Sequence, residues 1–122
     1  MTEARKVIAK RRFPRRRFRQ KIGVLWRGSY AISESVQIGE GGMLAAASFG
    51  FEIGDNVIVS FQIPGREFVV VKASVQYERQ ENGRKVHGLK FLNISFEQRR
   101  LLRDFVSAKT EAEAHLEGVF VK

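Results

Sequence analysis

The sequence predicts an all-β fold, a small antiparallel barrel of about six strands closed by one C-terminal α-helix. Three features carry this reading. Apolar residues alternate with period two between Lys21 and Phe91, glycine-containing turns separate the short apolar runs, and the period becomes helical after Asn93. Closure is favoured over an open sheet because it removes the unpaired edges that invite aggregation. A chain of 122 residues forms one domain and buries roughly two-thirds of its unfolded surface.

In chain order, positions 1–20 form a basic arm, 21–109 the barrel with its closing helix, and 110–122 a C-terminal extension. Ile22, Val24 and Trp26 alternate, as do Ile32 and the stretch around Val36 and Ile38, and Gly41-Gly42 breaks the chain ahead of Met43-Leu44-Ala45. Next, Val57, Val59, Phe61 and Ile63 share one face of a strand, and Val69, Val71, Ala73, Val75 and Tyr77 share one face of another. Pro64-Gly65 between them suits a type II turn, with proline presetting φ and glycine taking φ > 0. Asn82-Gly83 suits a type I′ hairpin leading into a strand through Val86, Leu89 and Phe91.

Ser95-Phe96-Glu97-Gln98 fits a capping box that opens a helix over about 95–109. On it Leu101/Phe105 and Leu102/Val106 stand at i, i+4 and form an apolar stripe packed on the barrel. Thr110 to Gly118 extends this helix or begins another, and Val119-Phe120-Val121 docks on the body or on a partner. Trp26 is read as core, His87 as structural, and Arg99, Arg100 and Arg103 as a solvated helix face.

The charge is divided sharply. Eleven of the 22 basic residues but only one of the 13 acidic residues lie within 1–27, leaving about +10 there and −1 in the rest. The body is near neutral and the arm is cationic. No apolar run approaches the ~20 residues that span a bilayer, and the N-terminus lacks the apolar stretch of a signal peptide, so a cytoplasmic location is expected. Zero cysteines exclude disulfides, thiolate metal sites and cysteine nucleophiles. With two histidines and two aspartates the chain shows no metal-ligand cluster or base-orienting triad, so neither an enzyme nor a resident cofactor is expected.

Two stretches can carry function. The first, Lys10-Arg11-Arg12-Phe13-Pro14-Arg15-Arg16-Arg17-Phe18-Arg19, is dominated by arginine. A guanidinium holds a phosphate or a guanine O6/N7 edge with two parallel hydrogen bonds and stacks on flat bases. The partner is therefore anionic and suits a planar group. Alone, the run also reads as a solvated tail, although Phe13, Pro14 and Phe18 are uncommon in such tails. The second stretch is Gln37-Ile38-Gly39-Glu40-Gly41-Gly42, whose glycines let backbone approach a ligand, though hairpin turns use glycine as well.

Taken together, RxxxR at Arg11 and Arg15, repeated at Arg12/Arg16 and Arg15/Arg19, followed by a turn in the place of [D/N]xSxxG, resembles the PilZ domain family of bacterial cyclic di-GMP receptors. Ile53-Gly54-Asp55-Asn56-Val57 before the strand ending Pro64-Gly65, and His87-Gly88-Leu89-Lys90-Phe91 running into Ser95–Leu102, add to a likeness covering about 9–108. The resemblance implies a six-stranded PilZ-type barrel with a C-terminal helix. It also implies a site in which Arg11, Arg12, Arg15 and Arg16 grip guanine edges and phosphates beside Gln37, Gly39, Gly41 and Gly42. The ligand would be cyclic di-GMP, as one molecule or a stacked pair.

Two positions depart from the family pattern: Gln37 stands for Asp or Asn, and Gly39 for Ser. A hydrogen bond to a charged group contributes roughly 1.5–3 kcal/mol and a neutral one about 0.5–1.5. Losing both weakens binding by about one to three powers of ten. The expectation is a non-enzymatic receptor with weakened but retained binding, whose arm orders on the ligand and presents a new surface to a downstream protein. Two alternatives remain open: a degenerate domain that acts only as a protein-interaction adaptor, and a nucleic-acid-binding small barrel. The near-neutral body and the lack of an aromatic platform weigh against the last.

Overall fold

The computed structural model describes residues 14–46 and 50–108. Arg11, Arg12, the extension 110–122 and its Val119-Phe120-Val121 lie outside the described residues. Seven strands are seen: β1 (Arg15–Arg17), β2 (Lys21–Trp26), β3 (Ser29–Gly39), β4 (Gly42–Ala46), β5 (Asn56–Gln62), β6 (Phe68–Glu81) and β7 (Arg84–Leu92), followed by helix α1 (Phe96–Ser107).

All pairings are antiparallel, running β2-β5-β6-β7-β4-β3 and back to β2, which closes a six-stranded barrel. β1 lies along the same edge of β3 as β2, with Arg15 opposite Gly39 and Arg17 opposite Gln37. β1 and β2 thus form one line interrupted at 18–20. Across the interruption the Phe18 amide donates to the Val36 carbonyl at 2.9 Å and the Ser35 amide to the Gln20 carbonyl at 2.8 Å.

The alternation read from the sequence builds the core. Val57, Val59, Phe61 and Ile63, with Val69, Val71, Ala73 and Val75, are buried inside the barrel. Leu101, Leu102 and Val106 of α1 pack into the same cluster at one end. The capping box is present, with the Gln98 amide donating to Ser95 Oγ and the Ser95 amide to Gln98 Oε1. Gln98 Nε2 also donates to the Val70 carbonyl at 3.3 Å, fixing the helix start to β6. Asn82 and Gly83 take φ of 51° and 75°, and Gly65 takes 73°, as their turns require. A third tight turn, Arg27-Gly28 with φ of 50° and 80°, joins β2 to β3.

Two expectations need correction. The arm does not remain separate up to residue 20, because Phe18 is 4% exposed and meets Phe61 and Phe105 edge-on at centroid distances of 5.9 and 5.6 Å. Burying an aromatic ring is worth roughly 1.5–3 kcal/mol, enough to draw the neighbouring arginines into the ladder. Nor is the helix face of Arg99 and Arg103 simply solvated, since both approach the Glu40 carboxylate. Trp26 packs partly buried against the core, and its indole Nε1 donates to Asp55 at 2.9 Å. His87 is fully buried with its ring edge-on to Phe51.

Candidate functional site

Two β-bulges shape the outer wall where β3, β4, β7 and β6 meet. In β3 the pairing with β4 skips Val36, so Ser35 faces Ala45 and Gln37 faces Leu44. In β6 the pairing with β7 skips Gln76, so Val75 faces Leu89 and Tyr77 faces Gly88. An inserted residue reverses which face the following side chains take. Beyond the first bulge Ile38 turns into the core while Gln37 and Gly39 turn outward, and beyond the second Tyr77 leaves the core line that ends at Val75.

Between the bulges lies a cavity of about 530 Å³, a size suited to a small ligand. Arg15, Gln37, Gly39, Gly41 and Gly42 contribute on one side, and Gln76, Tyr77, Gly88 and Lys90 on the other. Leu44 and Tyr77 of its lining belong to a small apolar cluster with Ala46, Val86 and Val36. Among the described residues the lining contains two cations, Arg15 and Lys90, and no carboxylate. Arg15 Nη1 approaches Gln37 Oε1 at 3.5 Å, bringing together residues 22 apart in sequence.

Five of the eight residues singled out from the sequence therefore border one cavity: Arg15, Gln37, Gly39, Gly41 and Gly42. Arg11 and Arg12 lie outside the described residues. Arg16 faces the other way, as strand alternation next to Arg15 demands. Its Nη1 donates to the Phe105 carbonyl at 2.8 Å, and its guanidinium sits 4.2 Å over the Phe105 ring.

Steric reasons accompany the glycines. A Cβ on Gly42 would stand 2.2 Å from the Leu89 carbonyl oxygen, so β4 and β7 can pair this closely only without one. At Gly39 a Cβ would stand 3.0 Å from the Pro14 carbonyl and 3.5 Å from Arg15 Cγ, in the space that the N-terminal segment takes over the turn. A Cβ on Gly88 would meet the Tyr77 ring at 2.3 Å, which lets Tyr77 lie against β7.

Glu40, inside the glycine turn, points away from the cavity. Its carboxylate accepts from Arg103 Nε at 3.1 Å and lies 3.8 Å from Arg99, and it raises the pKa of Arg103 through that hydrogen bond. The helix thus neutralises the one acid in the turn, leaving the cavity face positive.

Gln76, Tyr77 and Lys90 join the site without having been singled out from the sequence. The only hint was local: Tyr77 continued a buried alternation as its one polar-tipped member. Among the described residues no His, Cys, Asp or Glu group is arranged to hold a metal ion, and no helix is long and apolar enough to cross a membrane.

The fold is shared with solved structures of low sequence identity. The PilZ domain of Escherichia coli YcgR with c-di-GMP superposes with a TM-score of 0.68 at 17% identity, over 92% of this chain and 99% of that one. The Bacillus subtilis inhibitor of motility (MotI/DgrA) gives 0.73 at 13% identity, over 80% of this chain and 49% of that one. The Borreliella burgdorferi PlzA protein in complex with c-di-GMP gives 0.60 at 13%, over 86% and 45%. The chain therefore spans about half the length of the latter two proteins. No curated protein matches it in sequence. The PilZ domain model matches residues 9–108, and with the closed barrel, the capping helix and the bulge-bordered cavity in place, the chain belongs to the PilZ domain family.

Proposed function

We propose that this chain is a non-enzymatic receptor for cyclic di-GMP that passes the signal to a partner protein. The observation that carries the reading is the cavity, lined by cations and no carboxylate among the described residues, in which Arg15 meets Gln37 across the glycine turn. A cyclic dinucleotide carries two phosphates and two guanines. Arg15 and Lys90 match the phosphates or a guanine O6/N7 edge, and the Gln37 and Gln76 amides match the remaining donor and acceptor positions. The solved PilZ structures from Escherichia coli and Borreliella burgdorferi hold c-di-GMP. Arg16, turned onto α1, supports the helix rather than the ligand. The remaining grip falls to Arg11 and Arg12, ahead of the barrel.

Binding is expected to be weak, since Gln37 offers a neutral acceptor and Gly39 offers none. Isothermal titration tests the reading. Heat at micromolar ligand should be lost in the Arg11→Ala/Arg15→Ala variant, and an absence of heat with the intact chain at high micromolar ligand would overturn it.

A second reading, an adaptor that binds no dinucleotide, is favoured by one observation. The Pro14 carbonyl lies 3.0 Å from where the Cβ of a serine at 39 would stand. Gln37→Asp with Gly39→Ser creates binding if the two missing polar groups are the sole defect; continued silence supports the adaptor.

A further inference from the structure

The outer wall opposite the cavity strands carries a second surface. Six of the large exposed apolar side chains stand on outward positions of four adjacent strands: Leu25, Tyr30, Ile32, Ile58, Phe68 and Val70. The register makes them contiguous. Leu25 pairs with Tyr30 on one side and Ile58 on the other. One row along, Ile32, Gly23, Ser60 and Val70 stand side by side, and Phe68 follows opposite Gln62. Three inter-strand spacings make this platform about 14 Å wide. Tyr30, Ile32, Phe68 and Val70 are each more than half exposed.

Glycine inside a strand weakens it unless something must lie close. At Gly23 a Cβ would stand 2.1 Å from Tyr30 Oη and 2.6 Å from Ser60 Oγ, so the glycine lets the tyrosine lie flat across β2. The result is a level surface built from the backbone up, whereas exposed apolar residues on most proteins are scattered singly.

Charge distinguishes its occupant. Lys72 stands between Ile58 and Leu92 at the margin of the platform, with no carboxylate within ion-pair distance among the described residues. At the opposite margin, on β3, Glu34 stands beside Lys21 and is held by Arg84 at 2.7 Å. A second copy related by a two-fold axis would bring another Lys72 to the same margin rather than a carboxylate. An apolar surface with acidic residues at its edge is complementary, since interface cores are apolar and their rims charge-matched.

We propose that the β3-β2-β5-β6 wall docks a protein partner whose contact surface is apolar with an acidic rim, using Leu25, Tyr30, Ile32, Ile58 and Val70 as the core and Lys72 as the charge contact. This docking does not depend on dinucleotide binding and is tested without the dinucleotide. The probe is a synthetic amphipathic helical peptide of leucine and glutamate, titrated into the 15N-labelled chain beside a counterpart with lysine for glutamate.

The acidic peptide should shift the amides of Leu25, Ile32, Ile58 and Val70, with at least tenfold tighter binding than the basic one. Ile32→Ser/Ile58→Ser should remove those shifts, and Lys72→Glu should reverse the charge preference while leaving the amide spectrum folded. Shifts confined to Arg15–Arg19 would overturn the proposal by assigning the peptide to the basic arm. It is equally overturned by no shift on the wall, or by a dimer in sedimentation that Ile32→Ser dissociates.

Discussion

Replacing Gly42 with alanine separates two reasons for a glycine at the end of the turn. If the glycine serves only to let a ligand approach, the variant folds normally and loses binding. The geometry demands more. The added Cβ would stand 2.2 Å from the Leu89 carbonyl oxygen, a backbone atom of the neighbouring strand. Relieving that contact means moving β4 from β7 by about 1.3 Å, since ordinary non-bonded contacts lie near 3.5 Å.

The shift falls where Gly42 pairs with Lys90 and Met43 with Leu89, next to the bond from the Phe91 amide to the Gly41 carbonyl at 2.9 Å. Overpacking costs about 1–3 kcal/mol, here at the upper end because backbone gives way less readily than a side chain, and a weakened backbone hydrogen bond adds about 1 kcal/mol. A loss of about 3–4 kcal/mol lowers Tm by roughly 12 °C or more in a domain of this size. Urea unfolding followed by Trp26 fluorescence, with thermal melts by circular dichroism, reads this directly. Gly39→Ala is the control: its contacts at 3.0 and 3.5 Å fall on the exposed Pro14 segment, so its cost should stay near 1 kcal/mol or below. If Gly42→Ala melts within about 2 °C of the parent, the steric argument is wrong and Gly42 serves ligand approach alone.

Other consequences follow from the same geometry. Arg16→Ala should lower stability by about 1–2 kcal/mol through loss of its bond to the Phe105 carbonyl and its place over the Phe105 ring, yet change dinucleotide affinity less than twofold by titration. Arg15→Ala alone should cost about tenfold or more in affinity, as removal of a charged donor does, with Tm little changed. The Asp55 carboxyl is held below its ordinary pKa, first by the Glu52 amide, then by the Trp26 indole, with Arg27 adding to both. A depressed carboxylate contributes stability above its unfolded pKa near 3.9 and loses it as pH falls through the lower folded value. The parent should therefore lose stability below about pH 4 more steeply than Asp55→Asn, as read by denaturant midpoints across pH.

The strands with one buried face were legible because a barrel wall repeats every two residues. Val57 to Ile63 and Val69 to Val75 declared themselves, as did Pro64-Gly65, Asn82-Gly83 and the Ser95/Gln98 cap, whose chemistry is local. The Arg27-Gly28 turn was just as local and went unread because neither Asn nor Asp marked it. Arg15, Gln37 and the glycines were found by spacing. Lys90, Gln76 and Tyr77 were not, since nothing along the chain reveals which strands stand next to one another.

The sequence by itself determined the composition of the parts: a cationic N-terminal segment, a run of half-buried strands, a capped helix and a glycine turn. These depend on periodicity and on residues within a few positions of one another. Only the tertiary structure decided which way each part faces. The bulges at Val36 and Gln76 reset the alternation and bring Arg15, Gln37, Tyr77 and Lys90 to one cavity. Phe18 pulls the end of the arm into the core, so Arg15 and Arg16 divide between cavity and helix. Glu40 turns its charge to Arg103 and away from the site. Facing is a property of register and of contacts distant in sequence, and one inserted residue reverses it without leaving a mark in composition or charge.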